Sequence, residues 1–107
     1  TLTCNILGYS DNGSILNTMR RFRDDVMSKS SKYKELLEEY DLLGPKLVMC
    51  IEADSKKQAL AMQMKSMYIL PVYESLKRKD YEKAVAKYKE MVLYLKKHYK
   101  EQLAVMG

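Results

Sequence analysis

Apolar residues recur at helical spacing along most of this chain. Ile15, Leu16, Met19, Phe22 and Val26 fall three or four positions apart, while Arg20, Arg21, Asp24 and Asp25 mostly fill the other face. One side of a 3.6-residue helix carries such a set, so the pattern predicts an amphipathic helix from Ser14 to about Ser28. Ser30 or Ser31 is placed to cap a second helix with Tyr33, Leu36, Leu37, Tyr40 and Leu43 on its apolar face. Gly44-Pro45 reads as its stop, and Pro45 to about Ala53 as a short third helix burying Leu47, Val48 and Ile51. Ser55 with Gln58 has the spacing of a capping box. The fourth helix it opens carries Ala59, Leu60, Met62, Met64, Met67, Ile69 and Leu70 nearly all round, the pattern of a central helix. Pro71 lacks an N–H and is expected to kink or break that helix near Met67. Asp80 is a suitable N-cap for a fifth helix, along which Tyr81, Val85, Tyr88, Val92, Leu95 and Tyr99 form one stripe.

Residues 1–13 show no helical period and hold Gly8, Asp11, Asn12 and Gly13, so they read as an extended entry segment ending in a turn. The expected fold is therefore all-α: a single-domain bundle of four to five helices with an extended N-terminal segment. Residues 14–53 would form its first helices and 55–106 a long helical hairpin. With 107 residues the chain has room for one domain, and 47% apolar residues suffice for a core. No apolar run approaches the ~18–20 residues of a membrane span, so no membrane partner is expected.

Two cysteines, Cys4 and Cys50, are too few for a disulfide scaffold. With eight methionines they suit a reducing compartment, and a cytoplasmic location is expected. The sequence starts at Thr1, which reads as an excised or processed module. Charge sharpens the picture through its placement. Residues 1–76 are electrically balanced, and the entire net charge of +5 lies between Lys77 and Glu101.

The string Met19-Arg20-Arg21-Phe22-Arg23-Asp24-Asp25-Val26-Met27 resembles the Leu-Arg-x-Phe-Arg-Asp core of the bacterial CFI-box domain. Cys4 and Ile6 resemble that family's upstream box, with Asn5 where the family has an aromatic, and Tyr40 with Pro45 resembles its later part. The resemblance covers roughly residues 4–50. It implies a short module, often at the C-terminal end of larger bacterial proteins, with no activity to carry over. Cys4, Arg20, Phe22, Arg23 and Asp24 are the motif residues it singles out, in structural or anion-contact roles.

Several residue sets bear on chemistry. Arg20 and Arg23, three apart on one helix, are spaced to grip a phosphate or carboxylate; bridging to Glu38, Glu39 or Asp41 is the favoured use. Cys4, Cys50 and His98 share no metal-motif spacing, so neither a metal nor a cofactor is expected, and His98 among Lys96, Lys97 and Lys100 reads as solvated. No phosphate-cradling glycine loop or recognisable nucleophile constellation occurs, so an enzyme is not expected. Met62, Met64 and Met67 read first as core and second as a partner groove. Lys83, Lys87, Lys89, Lys96, Lys97 and Lys100 face away from the tyrosine stripe, so the tyrosines do not make a stacking platform; only Tyr94 is expected on the surface. The function expected is a non-catalytic helical protein-interaction module, binding a protein partner or itself. Polyanion or nucleic-acid binding through the six lysines is the alternative.

Overall fold

The computed structural model describes residues 2–8 and 13–106, apart from the side chains of Cys4 and Leu7. These residues are all-α, with no strand among them. Helix α1 is Leu2–Leu7; α2 is Ser14–Phe22, continued by a π turn at Arg23–Met27; α3 is Ser31–Glu52. Helix α4 runs from Lys57–Met64 through a π turn at Lys65–Ile69 into Leu70–Lys77. Helix α5 is Tyr81–His98, and after a break at Tyr99, α6 is Lys100–Met106.

The second half of α4 and α5 form the predicted hairpin, joined by a short turn in which Lys79 takes φ 61. Asp80 caps α5, its carboxylate accepting from the Lys83 N–H at 3.3 Å. Helix α2 lies on this hairpin, α6 packs on α3, and α1 is held between α3 and α4. The best-packed interior is built by Leu47, Met64, Ile69, Met91, Leu95 and Tyr99, each under 2–3% exposed.

Four expectations are corrected. Residues 2–7 of the expected extended segment are helical: Leu2 and Ile6, four apart, are both buried, and Asn5 donates from Nδ2 to Glu52 Oε1 at 2.6 Å. One apolar pair is too short a signal to show a period, and packing rather than propensity holds so short a helix. Residues 9–12 lie outside the described residues. Gly44-Pro45 does not stop the second helix, which continues as α3 to Glu52 with Pro45 inside it. A proline normally pushes its predecessor out of helical conformation by crowding that residue's Cβ, and Gly44 has none. Burial of Leu47, Cys50 and Ile51 beyond it favours continuation.

The Ser55–Gln58 capping box is not formed: Lys56 occupies the N-cap of α4, and Asp54 Oδ1 accepts from the Lys56 N–H at 2.9 Å instead. Nor is α4 buried all round, since Met62 and Met67 are 72% and 48% exposed. Pro71 perturbs the helix where expected, but as a π turn in which the Leu70 N–H reaches back to the Lys65 carbonyl. The extra residue in that turn rotates the core face by one position. A continuous α-helix from Leu60 and Met64 would present Met67 and Pro71 inward; Tyr68 and Val72 are buried in their place. The π turn of α2 does the same, burying Met27 where the stripe pointed to Val26.

Candidate functional site

Beneath α2 the packing is open. A cavity of about 200 Å³ lies between α2, α3 and the α4–α5 hairpin, walled by side chains that include Leu16, Met19, Leu47, Val72, Leu76 and Val92. No residue of Ser14–Phe22 is buried, although Ile15, Leu16 and Met19 touch the core. Gly44 is buried on the cavity wall, and a Cβ built there meets nothing within 4 Å. The hollow is open on one side, so part of its lining meets water rather than protein.

The cavity reaches the surface between α2 and α3, where Arg20, Arg23 and Asp41 are exposed. Arg23 Nη2 donates to Asp41 Oδ1 at 2.8 Å, one of the bridges anticipated from sequence. Both partners are half-exposed, so the pair is worth at most ~1 kcal/mol. Arg20 makes no ion pair with any described residue. On the cavity wall the Thr3 and Tyr88 hydroxyls lie 3.4 Å apart. Burial pushes the Tyr88 hydroxyl pKa up, and burial followed by nearby Glu39 does the same for Tyr40, so both phenols are neutral donors near pH 7. Phe22 is half-buried, stacked on Tyr81 at 5.2 Å and tilted against Tyr33 at 6.4 Å, which makes it an anchor for α2. Asp24 is exposed, and its contribution is a backbone carbonyl that accepts from Ser28 Oγ at 2.6 Å. The side chain of Cys4 lies outside the described residues.

A second feature lies on the outer side of α3. Leu42 and Met49 are 76% and 61% exposed, with exposed Pro45 and Lys46 between them. Glu35, Glu38, Leu42, Pro45 and Met49 follow at three- and four-residue steps and so share one face. Beside Met49 a shallow depression of about 490 Å³ is lined by Cys50, Ala53, Tyr99 and Met106, with Asp54 and His98 at its rim. The Lys56 N–H and the Tyr99 hydroxyl, which donates to Asp54 Oδ2 at 2.8 Å, hold the Asp54 carboxyl below the usual carboxylate range. His98 Nε2 is 3.8 Å from the same oxygen, and its ring stacks on Tyr94 and meets Tyr99 edge-on. His98 is thus partly exposed but held by specific neighbours rather than freely solvated. Burial pushes the Cys50 thiol up, away from the thiolate a nucleophile needs.

The methionines are not gathered into a groove on α4. Met64 is fully buried in the core, while Met62 and Met67 are exposed on the outside of the helix. The exposed methionine beside a depression is Met49, which the sequence placed in no site. Of the six lysines, Lys87 pairs with Glu90 at 3.2 Å and Lys96 with Glu39 at 3.7 Å. Lys83, Lys89, Lys97 and Lys100 are exposed and form no ion pair among the described residues. Tyr94, expected on the surface, is half-buried against Tyr68 and His98.

Among the described residues no helix is long and apolar enough to cross a membrane. No family model, curated protein or solved structure matches this chain.

Proposed function

We propose that this chain is a non-catalytic helical interaction module, and that its partner is a second copy of itself, paired through the outer face of α3. The observation that carries this reading is the Leu42–Pro45–Met49 face, which stays exposed among the described residues. Antiparallel pairing of two α3 helices about an axis near Pro45 and Lys46 sets Leu42 of each copy against Met49 of the other. The same register brings Glu35 and Glu38, near the N-terminal end of the face, towards Lys56 just past its C-terminal end. Self-complementarity of one patch is what a two-fold interface requires. Setting Leu42 and Met49 of the two copies against each other removes apolar surface from water, the main drive for association. Sedimentation across a concentration series tests this. The chain is expected to move from monomer to dimer, and Leu42→Lys with Met49→Lys to stay monomeric at unchanged melting temperature. A native chain that remains monomeric at submillimolar concentration contradicts it.

Polyanion binding is the second reading, favoured by the four lysines of α5 and α6 that have no acidic partner among the described residues. Its signature is retention on nucleic acid that weakens steeply with salt and is lost on reversing Lys83, Lys97 and Lys100 to Glu.

A further inference from the structure

We propose that the cavity beneath α2 is a binding site for a small monocarboxylate with an apolar tail or ring. Of the residues on the α3 pairing face only Pro45 also lines the hollow, so the two readings stand on largely separate surfaces and are tested separately. Three observations converge on it. The walls are mostly apolar, with the Thr3 and Tyr88 hydroxyls among them, and the space, open on one side, is about 200 Å³, of the order of the ~150 Å³ of an apolar protein cavity that takes up benzene. Its volume suits a ring with two or three further carbons, or a chain of about eight. The wall carries buried Gly44, whose missing side chain leaves free space rather than a close approach of backbone.

The mouth supplies the charge. Arg20 and Arg23 both line the opening, and among the described lining residues Asp41 is the one acid that stands against them, bonded to one nitrogen of Arg23. The opening therefore has one net positive charge and several free guanidinium donors, arranged to take two carboxylate oxygens. Being three residues apart on one helix, the two side chains emerge on the same side. A neutral amphiphile would leave these donors to water. A phosphate-bearing ligand would bring a second negative charge near Asp41. A singly charged carboxylate matches the count.

Octanoate and 3-phenylpropionate are the probes, with 1-octanol as the uncharged comparison, read by NMR shift mapping and titration calorimetry on the full chain. The expected result is saturable binding of both acids, with shifts at Leu16, Met19, Leu47 and Val92. Octanol is expected to bind at least tenfold more weakly. In a Pro45→Ala background, which removes the crowding a proline imposes on its predecessor's Cβ, Gly44→Leu should abolish binding by placing a side chain in the hollow, while Pro45→Ala alone, the folded control, should retain it. Arg20→Ala should weaken octanoate about tenfold and leave octanol unchanged. Absence of saturable binding, shifts confined to residues elsewhere, equal affinity for octanol and octanoate, or indifference of octanoate to Arg20→Ala would each overturn the proposal.

Discussion

The two ends of this small interior are packed very differently. Around Met64, Ile69, Met91, Leu95 and Tyr99 hardly any side-chain surface is left to solvent. Beneath α2 no residue of Ser14–Phe22 is buried and some 200 Å³ stands open. Both regions are built from the same kinds of residue, so hydrophobic content alone does not decide packing. The difference lies in backbone register and in Gly44. The packed end receives Tyr68 and Ile69 together because a π turn adds a residue there. The open end has a glycine where a side chain would fill space. Stability is therefore concentrated on one side of the molecule, which leaves the other free to bind.

The largest expected effect is the contrast between matched truncations. Leu95→Ala removes a side chain with no exposed surface and is expected to cost about 3–5 kcal/mol in chemical denaturation. Leu16→Ala, at the hollow, should cost about 1 kcal/mol, because the deleted atoms leave a space already loosely filled. Equal costs would remove the distinction between the two ends. The register shift in α4 gives the next contrast. Tyr68→Ala should cost about 3 kcal/mol, and Met67→Ala less than about 1 kcal/mol although sequence pattern ranks them the other way.

That reversal shows where the chain was legible from sequence and where it was not. Helix identity followed from spacing: the α2 stripe, the α5 stripe with its Asp80 cap and the hairpin were all readable before the structure. Register was not. Val26 and Met67 sit where an unbroken α-helix would bury them, and one π turn in each helix hands the position to Met27 and Tyr68. Gly44-Pro45 misled for a local reason, since the glycine that usually ends a helix here relieves the crowding its proline would cause. Of the site, the Arg23–Asp41 bridge was foreseeable from charge spacing. The cavity was not, because it is defined by atoms that are missing, and no residue type marks it. Leu42 and Met49 lie off the stripe that the sequence assigns to the core, and no sequence pattern marks them as a face of their own until packing leaves both exposed.

Smaller effects follow at the edges of the packed end. Lys79 holds φ 61, which glycine accepts without steric cost, so Lys79→Gly should raise stability by about 0.5–1 kcal/mol. Asp54 gives a pH signature. Its carboxyl pKa is depressed in the folded state, by the Lys56 N–H first and the Tyr99 hydroxyl second. The stabilisation is therefore complete above the ordinary carboxylate pKa and disappears as pH falls through the lowered value. Melting temperature followed from pH 7 to 2 should decline in the native chain and less steeply in Asp54→Asn.

The contrast between the two ends rests on the space beside Gly44, and the melting temperature of Gly44→Ala, made in a Pro45→Ala background so that no proline crowds the new Cβ, probes that space directly. Alanine in a helix interior is favoured over glycine by about 0.5–1 kcal/mol, which corresponds to several degrees for a domain of this size. With free space at the Cβ position, the double variant is predicted to melt higher than Pro45→Ala alone. A lower melting temperature would mean that the methyl group meets neighbours, and that the interior beneath α2 is closed.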